Sequence, residues 1–199
     1  MAREALRLVP IFCGERSGLV EPLAAELAEV FHLSVEVRRP TFDPELAFDA
    51  DRGQYNSRIL LAQLLRESPE PEVRLLGVTN VDLFIPVLTY VFGEAQLDDR
   101  SAVVSAYRLD NRLYGLPANP HLLFERLAKE AVHELGHTYG LRHCLDGRCV
   151  MASSTYAEEI DWKSERFCDR CQAFLAGRRA ARAAAAAGSE AAAALGQGS

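Results

Sequence analysis

The 199-residue chain has very little lysine: Lys129 and Lys163 stand against 20 arginines. It has no apolar run of the length that crosses a bilayer, so we expect no membrane partner. The net charge of −6, without a basic stripe, argues against a nucleic-acid partner. The first residues lack the apolar core of a secretory signal, which predicts a cytoplasmic location. With 49% hydrophobic residues, the chain can bury a core of its own.

One eleven-residue run carries most of the chemical information: His-Glu-Leu-Gly-His-Thr-Tyr-Gly-Leu-Arg-His. On an α-helix, residues four apart share one face, so His133 and His137 present their imidazoles to one point. Gly140 lets the chain leave the helix through a positive φ and bring His143 to the same point. Three neutral imidazoles with one open position are typical of a catalytic zinc. Glu134 follows the first histidine, where its carboxylate can reach a water on the metal without being a ligand.

A buried helix whose histidines only pack or hydrogen-bond is the alternative interpretation. It would be favoured for a single histidine, but three histidines at ligand spacing, with a glutamate and a turn glycine in place, argue against it. The extended motif resembles that of the metzincin metalloproteases. We therefore predict His133, His137 and His143 as ligands of a catalytic zinc, and Glu134 as the catalytic residue.

Four of the five cysteines form two close pairs, Cys144 with Cys149 and Cys168 with Cys171. Each pair can bind one side of a tetrahedral ion, and an all-thiolate site is closed to water and structural. Disulfide bonds are the alternative, and intracellular proteins of hyperthermophiles do contain them. Because no secretory signal is present, we expect a reducing compartment and favour a structural zinc site. Cys13 lies in an apolar run, which predicts a buried, unreactive thiol.

These residues together resemble the signature of the archaemetzincins, a branch of the metzincin clan. The matching pattern is His-Glu-x-x-His-x-x-Gly, three residues, Cys144, four residues, Cys149, one residue, Met151 and a later Cys-x-x-Cys. Sixteen residues separate Met151 from that last pair, one fewer than in the family pattern. The resemblance implies an α/β, metzincin-type (zincin) fold, with a mixed sheet over an active-site helix and a small zinc-bound C-terminal lobe. It also implies two zinc ions, one catalytic and one structural, and a methionine turn at Met151 beneath the catalytic metal.

The resemblance further implies a zinc-dependent metallopeptidase that hydrolyses peptide or protein substrates with water activated by Glu134. Metzincins bind extended substrates along the one antiparallel edge strand of their sheet, and we expect that strand within residues 87–97. An ordinary sheet strand is the alternative for this segment. Tyr156 lies five residues after Met151, further than the tyrosine that some metzincins use, so it is not included among the site residues.

Two other classes of function stay open at this point. One is a zinc-stabilised peptide- or protein-binding module with little or no catalytic activity, against which the intact Glu134 argues. The other is a nucleic-acid-binding zinc protein, which the cysteine pairs alone suggest and the acidic balance opposes. The oligomeric state cannot be read from the sequence.

The hydrophobic pattern upstream of the histidines is that of an α/β protein. We predict strands at residues 6–12, 34–38, 73–79, 87–92 and 101–109, helices at 18–31, 54–67 and 120–139, and a polar connection at 41–51. Residues 1–175 are then one catalytic domain. Its upper lobe (1–140) contains the active-site helix, and its lower lobe (141–175) contains the four cysteines. The alanine-rich tail, 176–199, is predicted to be a frayed helix or disordered, and no function is assigned to it.

Overall fold

The computed structural model describes residues 4–196, which form two β-sheets and five α-helices. In chain order the strands are β1 (Ala5–Ile11), β2 (Ser34–Val37), β3 (Phe48–Asp49), β4 (Gln54–Asn56), β5 (Val73–Thr79), β6 (Leu83–Ile85), β7 (Leu88–Val91), β8 (Gly93–Ala95) and β9 (Ser101–Ser105). The α-helices are α1 (Val20–Phe31), α2 (Ser57–Glu67), α3 (Pro120–Thr138), α4 (Ala157–Asp161) and α5 (Asp169–Gly196). Within the described range, no helix is both long and apolar enough to cross a membrane.

The larger sheet is mixed and has the strand order β2-β1-β5-β9-β8. Its first four strands are parallel, whereas β8 pairs with β9 in antiparallel orientation and forms one edge. All five residues of β9 are buried, as expected for a parallel strand that is covered on both faces. The smaller sheet has the order β3-β4-β6-β7.

Side chains that alternate along the central strands divide the core between the two faces of the larger sheet. On one face, Leu8 and Val104 belong to the same core cluster as the apolar residues of α1 and α3. On the other face, Leu75 packs with Leu64 of α2, and Val103 packs with Leu60 of the same helix. The result is a helix–sheet–helix arrangement with α3 against β8 and β9, which agrees with the predicted α/β class and with a mixed sheet over the active-site helix.

The helix predicted at residues 54–67 begins only at Ser57. Asn56 has an extended backbone, and its side-chain oxygen accepts the N–H of Arg58 at 3.1 Å, so Asn56 caps the helix. The three residues before the helix form β4 instead. Helix propensity alone does not locate this start, because the pairing of β4 with β6 is a tertiary contact.

Two predicted strands also have different bounds in the structure. The strand predicted at residues 101–109 ends at Ser105, whose Oγ accepts the N–H of Tyr107 at 3.1 Å and starts a turn. The strand predicted at residues 87–92 is β7, and the chain then continues directly into β8. An antiparallel edge strand is therefore present within residues 87–97, as predicted.

Helix α5 crosses residue 175, where the catalytic domain was predicted to end. Alanine has the highest helix propensity, so the alanine-rich segment continues the helix. Arg178 Nε donates to the carbonyl oxygen of Tyr139 at 3.2 Å, and Arg179 Nη1 donates to that of Phe31 at 2.6 Å. The beginning of the predicted tail thus packs on the domain, and its last three residues, 197–199, lie outside the described residues.

Candidate active site

Helix α3 carries the first two histidines. It begins at Pro120, and the side chain of Asn119 accepts the N–H of Leu122 at 3.1 Å, which caps the helix. His133 is buried and His137 is half-buried, one turn further along the same face. Their rings lie 4.6 Å apart between centroids. The spacing of four residues therefore brings the two imidazoles together, as predicted.

The third histidine is brought back by a turn at Gly140. This residue has a φ of +91°, which favours glycine, and its N–H donates to the carbonyl oxygen of His137 at 2.9 Å. The chain then reverses and places the ring of His143 5.3 Å from that of His133 and 5.1 Å from that of His137. The three imidazoles surround one point, with ligand atoms within 4.8 Å of one another.

Backbone carbonyls orient the two helical imidazoles. His133 Nδ1 lies 2.8 Å from the oxygen of Val150, and His137 Nδ1 lies 2.7 Å from that of Leu141. A carbonyl oxygen only accepts hydrogen bonds, so both Nδ1 atoms carry the proton and both Nε2 atoms present a lone pair. The two Nε2 atoms are 3.0 Å apart, close to the ~3.3 Å of two ligands on a tetrahedral zinc with bonds of about 2.0–2.1 Å. Two lone pairs so close repel each other, and a cation between them removes that repulsion.

The protonation of the three histidines also suits a metal. Burial lowers the pKa of His133 well below its ordinary value, and the neighbouring His137 lowers it further. Burial likewise lowers the pKa of His137 and of His143. All three imidazoles are therefore neutral near pH 7, which is the form that binds metal ions.

Gly93 of β8 provides the space that Glu134 occupies. A Cβ at residue 93 would lie 2.6 Å from Glu134 Cγ and 2.8 Å from its Oε1, so a larger residue there would displace the carboxylate. Burial raises the pKa of Glu134 well above its ordinary value, and the carboxylates of Glu130 and Glu94 raise it further, whereas Lys163 lowers it. A buried carboxyl group with a raised pKa is suited to accept and return a proton.

Both lysines of the chain are buried at α3: Lys129 belongs to the helix, and Lys163 packs against it. Lys163 Nζ lies 3.2 Å from Glu130 Oε1, and the two side chains are 2% and 5% exposed. Lys129 Nζ donates to the carbonyl oxygen of Ile160 at 3.3 Å, at the end of α4. The two ammonium groups therefore attach the segment around α4 to the active-site helix.

The four paired cysteines converge in a second cluster: Cys144, Cys149, Cys168 and Cys171, with their Sγ atoms within 4.8 Å of one another. All four are free thiols. The Sγ atoms of Cys144 and Cys168 are 3.8 Å apart, which matches the ~3.8 Å of two thiolates on a tetrahedral zinc with bonds of about 2.3 Å. A disulfide would require about 2.05 Å. The geometry fits a four-thiolate metal site.

The protein itself favours one thiolate in this cluster. Burial opposes ionisation of Cys144, but the backbone N–H of Asp146 and the guanidinium of Arg170, 3.3 Å from the sulfur, together lower the pKa of Cys144 to about 7. Burial raises the pKa of Cys171 far above its ordinary value. Full ionisation of the cluster therefore requires the charge of a bound cation.

One loop connects the two clusters. Cys144 directly follows His143, and the Cys144 N–H donates to the carbonyl oxygen of Met151 at 2.8 Å. Met151 is fully buried beneath α3, where its sulfur packs against Gly136, between the two helical histidines. Met151 thus lies where the methionine turn was expected, directly after the Val150 carbonyl that orients a histidine.

A cleft of about 480 Å³ opens above the histidines. It is lined by residues of the β6–β8 region, of α3 and of the segment after Met151: Ile85, Leu88, Thr89, Tyr90, Val91, Phe92, Gly93, Glu94, Ala95, Glu130, His133, Glu134, His137, His143, Ser153, Ser154 and Thr155. The edge of β8 that does not pair with β9 borders this cleft. An extended peptide can therefore lie along β8 and pass over the histidines.

The remaining cysteine lies outside both clusters. Cys13 is 7% exposed, its Sγ donates to the carbonyl oxygen of Val78 at 3.2 Å, and burial raises its pKa to about 11. The prediction that this thiol is buried is confirmed, and its raised pKa supports the expectation that it is unreactive. Tyr156, which was not included among the site residues, is 61% exposed and is not among the residues that line the cleft.

Comparison with known proteins agrees with this geometry. The sequence model of Peptidase family M54 matches residues 44–176. An archaemetzincin of Methanocaldococcus jannaschii is 41% identical over 149 residues, which are 75% of this chain and 80% of that protein. The crystal structure of the archaemetzincin of Methanopyrus kandleri superposes with a TM-score of 0.76 at 40% identity, over 88% of this chain and 95% of that one. The crystal structure of a zinc-dependent peptidase from Methanocorpusculum labreanum superposes with a TM-score of 0.77 at 29% identity, over 86% of this chain and 100% of that one.

The chain belongs to peptidase family M54. The resemblance to archaemetzincins and the zincin-type fold are therefore confirmed. The protein is a zinc metallopeptidase, which acts on peptides or proteins, and the interpretation as a binding module is the weaker one.

The sequence interpretation of this M54 peptidase did not single out Lys163, which pairs with Glu130, or four residues that line the cleft: Gly93, Glu130, Tyr90 and Ser154. For two of them a signal existed. Glu130 lies one turn before His133 on the same helix face. Lys163 is one of only two lysines in the chain, and this rarity sets it apart. Gly93, Tyr90 and Ser154 have no local pattern, because only the folded chain brings them to the histidines.

The contact between Gly136 and Met151 gives a testable prediction. A methyl group at residue 136 would lie 2.5 Å from Met151 Sδ and 3.2 Å from Phe167 Cε1, so Gly136→Ala should lower the free energy of unfolding by about 1–3 kcal/mol. The variant should also bind zinc more weakly, because Met151 would be pushed away from the histidines. Urea unfolding and competition with a zinc chelator measure the two effects.

Gly177→Ala is the matched control for this substitution. Gly177 is an exposed residue of α5, and a Cβ there meets no atom within 4 Å, so the same change should stabilise the helix by up to about 1 kcal/mol. Equal effects of the two substitutions would show that Met151 does not constrain residue 136.

Proposed function

We propose that His133, His137 and His143 hold the catalytic zinc of this peptidase and that Glu134 moves the proton during hydrolysis. The observation that carries the proposal is the orientation of the imidazoles. Carbonyl oxygens fix both helical Nδ1 atoms, and the two Nε2 lone pairs then meet at 3.0 Å. The three ligand atoms form one group, and Glu134 is not part of it. A carboxylate beside the ligands, but outside that group, is free to act on water.

Zinc in this position supplies Lewis acidity, which polarises the scissile carbonyl and makes water acidic enough to react near neutral pH. Glu134 accepts the proton of the attacking water and later donates it to the leaving amine. Between these two transfers the carboxyl group can hold the proton apart from bulk water, because Glu134 is only 6% exposed. Gly93 supports this role by leaving the carboxylate room beside the strand.

The substrate in this proposal is an extended peptide that adds to the free edge of β8. Edge strands present unpaired N–H and C=O groups, which give affinity without dependence on sequence. The cleft supports this arrangement because Gly93, Glu94 and Ala95 line it on one side and the histidines line it on the other. Side chains of the peptide then point alternately to the two faces of the sheet.

We further propose that the four cysteines hold a second, structural zinc, so that the protein contains two zinc ions. The upper lobe (1–140) and the lower lobe (141–175) then form one catalytic domain, 1–175, with the thiolate site inside the lower lobe. A four-thiolate site needs reduced cysteines, which supports the cytoplasmic location. The net charge of −6 supports a peptide rather than a nucleic acid as the partner.

Metal stoichiometry tests the two-site proposal. Protein purified without added metal should contain close to two zinc ions per chain by elemental analysis, because both sites use ligands that bind zinc strongly. Titration of thiols in the native protein should find the four cysteines protected. A content near one zinc ion per chain, with all four paired thiols titrating freely, would contradict the proposed structural site.

Replacement of one thiolate tests the structural role. Cys171→Ser should release one zinc. Because the bound metal stabilises the fold, the free energy of unfolding should fall by about 3–5 kcal/mol and the melting temperature by roughly 10–15 °C. Cys13→Ser is the matched control, since Cys13 is also buried but lies outside the cluster. A serine hydroxyl can take over the hydrogen bond that the Cys13 thiol donates to the Val78 carbonyl. If the two variants have the same melting temperature, Cys171 does not hold a structural metal.

Removal of the carboxylate tests the chemistry. Glu134→Ala should retain both metals and the fold but lose about 100- to 10,000-fold in the rate of peptide hydrolysis. Glu158→Gln, at an exposed position of α4, is the control for a change of one carboxylate, and this variant should hydrolyse peptides at the parental rate. Cleavage of a peptide library, with products identified by mass spectrometry, measures both. A Glu134→Ala protein of parental activity would contradict the proposed mechanism.

A further inference from the structure

Tyr90 reaches across the active-site cleft. It belongs to β7, on the sheet side, and its hydroxyl donates to the carbonyl oxygen of Thr155 at 2.8 Å. Thr155 lies on the opposite wall, four residues after Met151. Both residues line the cleft, so this hydrogen bond joins its two walls.

Both ends of this bridge are fixed by further contacts. The guanidinium of Arg108 lies 4.1 Å from the centre of the Tyr90 ring and donates two hydrogen bonds of 2.6 Å to Asp82. On the opposite wall, the N–H of Thr155 donates to Glu159 Oε2 at 2.5 Å. The hydroxyl of Tyr90 therefore meets a carbonyl that is already held in place, and the bridge is part of the built cleft.

The bridge lies at one end of the cleft, on one side of the histidines. Along the chain after Tyr90, Gly93 lies against Glu134, and the N–H of Asp98 donates to the carbonyl oxygen of His137 at 3.0 Å. From Gly93 to Asp98, β8 and the turn after it thus run alongside α3 in the same direction as the helix. Tyr90 therefore lies beyond Glu134, at the end of the cleft away from His137.

The direction of a bound peptide follows from the sheet. β8 already pairs antiparallel with β9, and antiparallel pairing is slightly more stable than parallel pairing. A peptide that adds antiparallel to β8 has its N-terminal part near His137 and its C-terminal part toward Tyr90. The bridge then stands in the path of the residues that follow the scissile bond.

We propose that Tyr90 is a specificity-determining residue that limits the length of substrate on the C-terminal side of the scissile bond. The inference rests on the proposed function. Tyr90 lies three positions before Gly93, which is beside Glu134, so the space before the bridge is at most about 10 Å, or roughly three residues of extended peptide. The favoured substrates are peptides, or flexible protein C-termini, that are cleaved within about three residues of their C-terminal end.

A series of peptides with one common scissile sequence tests this. The peptides are extended by one, two, four or eight residues on either the N-terminal or the C-terminal side, and kcat/KM is measured with the zinc-loaded full-length protein. C-terminal extension beyond about three residues should lower kcat/KM, whereas N-terminal extension should not. Tyr90→Phe removes only the bridging hydroxyl. It should raise the ratio of kcat/KM for long C-terminal extensions to kcat/KM for short ones by roughly 3- to 10-fold, as the loss of one hydrogen bond allows.

Tyr114→Phe is the matched control. Its hydroxyl donates to the carbonyl oxygen of the same Arg108 at 2.9 Å, but Tyr114 is not among the residues that line the cleft, so the length dependence should stay parental. Equal cleavage of long and short C-terminal extensions by the parent, or equal effects of the two tyrosine variants, would overturn the proposal.

A failure of the proposed function would look different, since no peptide of either series would be cleaved. The same series is then measured by fluorescence anisotropy as binding to the zinc-loaded Glu134→Ala protein, with and without Tyr90→Phe. Weaker binding of long C-terminal extensions, relieved by Tyr90→Phe, supports the bridge as the limit on length. Equal binding of all extensions refutes it.

Discussion

The contact of Met151 with Gly136 sets how closely the lower wall of the cleft approaches the active-site helix. A single methyl group at residue 136 would meet the Met151 sulfur at 2.5 Å, so the wall and the helix touch at the point between the two helical histidines. This approach brings the Val150 carbonyl to 2.8 Å from His133 and so fixes the tautomer that faces the metal. The orientation of the imidazole thus depends on a packing contact in the core.

The loop that makes this contact is held at its ends by the cysteine cluster. Cys149 comes two residues before Met151, and Cys144 comes one residue after His143. His143 is exposed, and no described residue hydrogen-bonds to its ring, so the backbone of this loop is what positions it. A structural metal at the cysteines would therefore position two parts of the catalytic site, the third histidine and the carbonyl behind the first one, without contact with substrate.

Local patterns allowed most of the site and the fold class to be predicted, because they depend on residues close in sequence. The histidines four apart on a helix and the positive φ of Gly140 are of this kind. The bridge from Tyr90 to Thr155 spans 65 residues and the pair of Glu130 with Lys163 spans 33, and no periodicity encodes such contacts. The strand at 54–56 escaped prediction in part for the same reason, since β6, one of its two partners, lies far along the chain.

Lys163, one of only two lysines in the chain, lies beside the carboxylates of the cleft. Glu94 on β8 and Glu130 and Glu134 on α3 place three carboxylates at the cleft, and the first two raise the pKa of Glu134. Lys163 is buried against Glu130 and lowers the pKa of Glu134, so it offsets part of this repulsion. A compact ammonium fits a closed space where the wide guanidinium of arginine would need five hydrogen-bond partners. Lys163 is thus a small buried cation that makes the carboxylates of the cleft compatible with one another.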